Sequence, residues 1–179
     1  MIELPLNIVN AACDGDEDAY AEIVNTLQVP VYNLCYRMLY NDGEAEEAAQ
    51  ESFWRAWNAI EKYDRARPFS TWIMSIAAHY CIDRKRKKQV DKVEITEEME
   101  ELLPDSTPNP EHEVVRLERE AQVHRILNGL NEVDRAMVIM AYWNEMSMKD
   151  IAEAVNMTES AVKSRLFRIR KQVAEKWID

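Results

Sequence analysis

Glycine is scarce in this 179-residue chain: there are three, Gly15, Gly43 and Gly129, set far apart. A phosphate-cradling loop of the dinucleotide or nucleoside-triphosphate kind needs two or three glycines within about ten residues, so two large enzyme classes are excluded. Cysteine is equally sparse. Cys13, Cys35 and Cys81 are odd in number and widely spaced, with no Cys-x-x-Cys pair, so buried free thiols are expected rather than a zinc or dithiol site. Long apolar runs are missing too. None approaches the roughly 20 residues that a membrane-spanning helix needs, and Met1 to Asn10 lacks the basic start and apolar stretch of a signal peptide. The expectation is a soluble, cytoplasmic protein with no membrane insertion.

Positive charge is in deficit, with 22 basic against 33 acidic side chains and a formal net charge of -11. The deficit is uneven. Residues 1–90 hold 14 acids and 10 bases, residues 91–120 hold 11 and 3, and residues 121–179 hold 8 and 9. The middle stretch also carries Pro104, Pro108 and Pro110, with almost nothing apolar between them. This reads as a flexible acidic linker over 91–120 joining two small domains, 1–90 and 121–179.

Both domains read as helical, because apolar residues recur at three and four and strand-like alternation is absent; the fold class is all-α. A helix from Asp16 to Leu27 is expected to restart or kink at Pro30, with Val31 to Tyr40 continuing, and Gly43 is expected to break the chain. From Glu44, the positions Ala45, Ala49, Phe53, Ala56 and Ile60 share one face, and Glu46, Glu47, Gln50, Glu51, Trp54 and Asn58 occupy the rest. A loop Asp64-Arg65-Ala66-Arg67-Pro68 leads to Ser70 or Thr71 as an N-cap. Trp72, Ile73, Ile76, Ala77 and Tyr80 then carry a helix into five consecutive cations, Arg84 to Lys88.

The second domain carries a helix-turn-helix pattern. Ser147-Met148-Lys149-Asp150 has capping-box spacing, Ile151, Ala152 and Val155 follow at helical intervals, and Asn156 tolerates the left-handed conformation a sharp turn needs. Thr158 can cap the next helix. At 100° per residue, Val162, Leu166, Ile169 and Val173 gather on one side, while Ser160, Lys163, Ser164, Phe167, Arg168 and Lys171 lie opposite. Cations, a hydroxyl and an aromatic on a watered face suit base edges and thymine methyls in a major groove. Arg165 and Arg170 flank that face and suit phosphates. A basic C-terminal helix is otherwise often a solvated surface, but the capped helix and turn before it favour DNA binding.

These motifs together resemble the extracytoplasmic-function class (group IV) of the sigma-70 family of bacterial RNA polymerase sigma factors. The first domain has Asp42-Gly43-Glu44-Ala45-Glu46-Glu47-Ala48-Ala49-Gln50-Glu51-Ser52-Phe53, similar to the family's acidic helix, followed by Arg55-Ala56-Trp57. Pro68-Phe69-Ser70-Thr71-Trp72-Ile73 is similar to its Phe-x-x-Trp-Leu segment, and Asp83-Arg84-Lys85-Arg86 follows in order. In the second domain, Ser147 to Ala152 and Ala161 to Arg168 resemble the family's final helix-turn-helix.

The resemblance implies a division of labour. The acidic helix would dock on the β′ clamp helices of core RNA polymerase through Glu47, Gln50, Glu51 and Trp54, with the β subunit also in contact with the chain. Arg65, Arg67, Phe69 and Trp72 would capture a flipped base of the −10 element, using aromatic and cationic chemistry suited to single strands. His79 stands where relatives often have asparagine, so the resemblance leaves the preferred −10 base open. Arg84, Lys85, Arg86, Lys87 and Lys88 would hold duplex phosphates. Ser160, Lys163, Ser164, Arg165, Phe167, Arg168, Arg170 and Lys171 would read the −35 element; Lys163 replaces a frequent arginine and lacks its planar fork. Promoter DNA, core polymerase and an anti-sigma factor are the implied partners.

No nucleophile, base and orienting group recur in a recognisable arrangement, so no catalytic residue, metal ligand or cofactor is assigned; Cys81 and His79 are at i,i+2, on different faces. A His79 and Asp83 pair at i,i+4 has no third ligand marked. The competing reading is a stand-alone helix-turn-helix regulator, which would bind specific DNA unaided. An acidic chain repels DNA at long range, so the sigma reading predicts weak DNA binding without polymerase.

Overall fold

The computed structural model describes residues 2–93 and 120–176, and every regular element among them is helical. In chain order these are α1 (Leu6–Cys13), α2 (Glu17–Leu39), α3 (Asp42–Asn58), a 3-10 turn (Ile60–Lys62), α4 (Phe69–Val93), α5 over 120–128, α6 (Glu132–Tyr142), α7 (Met148–Ala154) and α8 (Glu159–Lys176). The expected linker falls almost wholly outside the described residues. Of it, positions 91–93 belong to α4 and position 120 to α5.

Asp16 starts α2 by accepting the Ala19 amide at 3.0 Å. Pro30 does not restart the helix, since it lies inside one continuous element. A proline in a helix interior costs about 3 kcal/mol. Leu27, Val31 and Leu34 around it are fully buried, and each such side chain contributes roughly 1.5 to 3 kcal/mol, so packing prevails.

The break after α2 also moves. Tyr40, with φ 55°, takes the left-handed turn, Asn41 caps α3 by accepting the Glu44 amide at 2.9 Å, and Gly43 sits in the first helical turn. At the start of α4 the Pro68 carbonyl accepts the Thr71 and Trp72 amides at 3.1 and 3.3 Å. Ser70 and Thr71 are therefore buried first-turn residues rather than the expected caps.

α2, α3 and α4 pack around Ile23, Leu27, Leu34, Met38, Phe53, Ile73 and Ala77, with α1 laid against α2. Tyr20 pins α2 to α3 by donating its hydroxyl to the Phe53 carbonyl at 2.6 Å. α6, α7 and α8 form the second unit around Met137, Ile139, Ile151, Val162 and Leu166. The two units are also in contact. α6 packs on α2 and α4, and α7 packs on α4, so one apolar core runs through both.

Candidate nucleic-acid and partner interfaces

The α3 surface follows from its pattern. Ala45, Ala48, Ala49, Ser52, Phe53 and Ala56 are buried, which turns Glu47, Gln50 and Trp54 to solvent and leaves Glu51 half-exposed. Trp54 is 63% exposed, an unusual position for the largest apolar side chain. Two of the four predicted docking residues already have partners. Glu51 pairs with Arg55 at 2.7 Å, and Glu47 with Arg84 at 2.8 Å. The Arg84 hydrogen bond holds the Glu47 carboxyl below its usual range.

That second pair joins two predicted sites, because Arg84 opens the cation cluster of α4. Glu47 raises the Arg84 pKa, and the Tyr80 hydroxyl accepts from the same guanidinium at 3.1 Å. Lys88 pairs with Glu44 in the same way. Lys85 is half-buried under α6, where desolvation and then the Arg135 charge push its pKa down to about 8. Arg86 and Lys87 are exposed. The cluster that reads as five equivalent phosphate ligands is thus graded by its neighbours.

The loop ahead of α4 is tightly built. The Tyr63 hydroxyl donates to the Arg67 carbonyl, Asp64 Oδ1 accepts the Ala66 amide at 3.0 Å, and the Arg67 amide donates to the Asp64 carbonyl at 3.0 Å. Arg65 and Arg67 are exposed. Arg65 meets Asp14 at 2.6 Å, and Arg67 lies 3.3 Å from Asp64 and 3.7 Å from Glu153 of α7. Phe69 and Trp72 form an aromatic triad with Tyr63, with ring centroids 5.0 to 5.3 Å apart. Phe69 is 3% exposed, so in this arrangement it is a wall behind the loop rather than a stacking face, whereas Trp72 is half-exposed.

His79, half-buried on α4, places Nδ1 2.8 Å from the Ser75 carbonyl. Ser75 donates its hydroxyl to the Ala154 carbonyl of α7 at 3.1 Å. The face of α4 expected to meet the −10 strand is therefore covered in part by the second unit. Among the described residues, no cluster of three or more His, Cys, Asp or Glu groups is placed to hold a metal ion.

The helix-turn-helix assembles as its local signals dictate. Ser147 Oγ accepts the Asp150 amide at 3.1 Å and donates to Asp150 Oδ2 at 2.6 Å, Asn156 turns the chain at φ 53°, and Thr158 Oγ1 accepts the Ala161 amide at 3.2 Å. Val162, Leu166 and Ile169 are buried, and Ser160, Lys163, Ser164, Phe167, Arg168 and Lys171 are all exposed. Phe167 is 64% exposed in an open depression it shares with Lys163, Ser164, Arg168 and Arg170. Lys163 pairs with Glu159 at 2.5 Å. Arg165 instead turns to α6, 3.4 Å from Asp134 and 3.8 Å from Met157 Sδ, and so braces the motif.

Contacts between the two units were not visible in the sequence motifs. Arg135, 3% exposed, donates Nε to the Leu127 carbonyl at 2.8 Å and Nη1 to the Met38 carbonyl at 3.0 Å, near the C-terminal ends of α5 and α2. Carbonyls there lack helical partners and carry the negative end of the dipole, which accounts for a buried cation. His124 stacks on Tyr40, Arg37 lies 4.9 Å over the Trp143 ring, and Asn144 donates to the Pro30 carbonyl at 3.3 Å. The available signal was Arg135 itself, a lone cation beside the apolar run Ala136 to Met140.

The thiols are free. Cys35 and Cys81 are fully buried and touch between α2 and α4; the hydrogen bond to Cys35 and then burial push the Cys81 thiol well up. Cys13 is half-exposed beside Arg65 rather than buried as expected.

Comparison with known proteins gives two family matches, Sigma-70 region 2 over residues 23–90 and Sigma-70 region 4 over residues 120–173. The chain is 38% identical over 173 residues to the ECF RNA polymerase sigma factor SigW of Bacillus subtilis, covering 90% of this chain and 92% of that protein. Its fold is similar to that of CnrH, solved in complex with the cytosolic domain of CnrY, with a TM-score of 0.71, 19% identity and 96% of each chain covered. It is also similar to RpoE of Bartonella quintana, solved with the anti-sigma factor NepR, with a TM-score of 0.65, 18% identity, and 87% of this chain and 94% of that one covered.

Proposed function

The chain belongs to the extracytoplasmic-function class of the sigma-70 family, and on that premise we propose how its residues divide the work. It is an alternative sigma factor: it binds core RNA polymerase and promoter DNA and directs promoter-specific initiation. No helix among the described residues is long and apolar enough to cross a membrane. The cytoplasm is its proposed compartment, the chemistry of nucleotide addition is left to polymerase, and an anti-sigma factor is its proposed regulator, as the anti-sigma factor NepR is seen bound to the structural relative RpoE.

One observation carries the DNA-reading half of the proposal. A capped helix, a left-handed Asn156 and a second capped helix present Ser160, Lys163, Ser164, Phe167, Arg168 and Lys171 as one exposed row over a buried back. This row reads the −35 duplex in the major groove: Arg168 and Lys163 contact base edges, Phe167 packs on thymine methyls, and Arg170 with Lys171 holds phosphates. Arg165 keeps the row in place through Asp134.

Gln50 and Trp54 lead the docking of α3 on the β′ clamp helices, with Glu47 and Glu51 exchanging their internal arginine partners for basic groups of polymerase. Arg65, Arg67 and Trp72 form the pocket that holds a base of the melted −10 strand, with Phe69 as its rear support and His79 on its α4 side. Arg86 and Lys87 meet the flanking phosphates first; Arg84, Lys85 and Lys88 join as their present neighbours are displaced.

The two readings demand separation of the units. Centres of the −35 and −10 elements lie about 80 Å apart at 3.4 Å per base pair, whereas here α7 touches α4 through Ser75 and Arg67. Docking on polymerase supplies the energy to part them, and weak DNA binding by the isolated chain follows. The test is capture of purified core polymerase, then run-off transcription from a genomic promoter library with and without the protein. Core capture with new transcripts sharing −35 and −10 motifs supports the assignment; specific DNA binding without core capture supports a stand-alone regulator.

A further inference from the structure

Arg65 stands in the loop that precedes α4, yet its guanidinium is held from outside that loop. Nη2 meets Asp14 Oδ1 at 2.6 Å, Nη1 reaches Asn10 Oδ1 at 3.4 Å, and the Cys13 thiol lies against the same group. All three residues belong to α1 and its C-terminal turn, ahead of residue 23, where the family match begins. α1 is itself anchored. Val9 and Ala12 are buried, the helix packs on α2 and on the 3-10 turn, and Gly15 at φ 96° closes the turn into the α2 cap.

We propose that Asp14, assisted by Asn10, is a positioning residue that sets the base preference of the −10 loop by fixing Arg65. This rests on the assignment of that loop to the −10 strand. A free arginine beside DNA binds phosphate without regard to sequence. An arginine whose fork is already engaged by two acceptors presents its remaining N–H donors in one direction, which base reading requires. The Asp14 and Arg65 side chains are 69% and 49% exposed, and an exposed ion pair adds little to stability. Its effect therefore falls on recognition rather than on folding.

The test uses the full chain bound to core polymerase, with promoters varied separately at −10 and at −35. Asp14→Asn removes the charge while keeping the shape of the turn. It flattens the spread of rates across −10 variants severalfold and steepens the salt dependence by about one counterion, the signature of a released cation. Thermal midpoint, core affinity and −35 preference match the parent, and Asp14→Glu restores the −10 profile. Arg65→Ala also flattens that profile, and Asp14→Asn with Arg65→Ala goes no further, because Asp14 acts through Arg65. Additive effects, or a parental −10 profile in Asp14→Asn beside an altered one in Arg65→Ala, overturn the positioning role. A parental profile in Arg65→Ala itself overturns the loop assignment instead.

Discussion

Arg135 and Arg168 show how one residue type takes opposite duties. Arg135 is buried and donates to the Leu127 and Met38 carbonyls, whereas Arg168 lies in the open on α8. Removing Arg168 should therefore leave the fold intact and blunt −35 reading. Arg168→Ala is expected to cost about 1 to 3 kcal/mol on a matched promoter and to relax preference at one −35 position. Run-off transcription across −35 variants measures this, and an unchanged preference with uniformly weaker binding would reassign Arg168 to a phosphate.

At the scale of elements, α3 makes the clearest separable prediction. Gln50→Ala with Trp54→Ala should lower core-polymerase affinity by about 2 kcal/mol or more, since a central exposed tryptophan is the usual energetic anchor of an interface. Promoter preference of the holoenzyme that still forms should match the parent. A shift in −10 or −35 preference with normal core affinity would remove α3 from the docking role. How much of this was legible in the sequence depended on range. The helix-turn-helix was readable because Ser147, Asn156 and Thr158 act within three or four residues of themselves. The α2 break was misplaced because a left-handed tyrosine beside a capping Asn41 gives a weaker local signal than Gly43. That α2 runs unbroken through Pro30 was illegible for the opposite reason, since burial of Leu27, Val31 and Leu34 comes from distant elements. The partial masking of α4 by α7 has no sequence signal at all, because Ser75 and Ala154 are joined only in space.

For the whole molecule, the packing of α5 and α6 on α2 and α4 carries a pH dependence. Burial, then the Arg135 and Lys85 charges, pushes His124 down to about 4 from its ordinary 6.5. Its neutral form is favoured by packing, so the stabilisation is complete above pH 6.5 and is lost as pH falls toward 4. Lys85, lowered to about 8 from 10.5, acts at the other end: its charge opposes packing below pH 8, and stability rises between about pH 8 and 10.5. Small-angle scattering should give a larger radius of gyration at pH 5.5 than at pH 7, and no expansion at pH 9. His124→Asn should flatten the acid limb. Expansion at pH 9 with none at pH 5.5 would reverse the assignment.

The thiols have a practical corollary. Cys35 and Cys81 are sealed between α2 and α4, while Cys13 alone has partial access to solvent. A maleimide dye added to the native, unmutated chain should therefore attach once, beside Arg65, and digestion with peptide mapping would reveal any second adduct. The wild-type protein thus carries its own reporter position, from which fluorescence could follow strand opening as it happens.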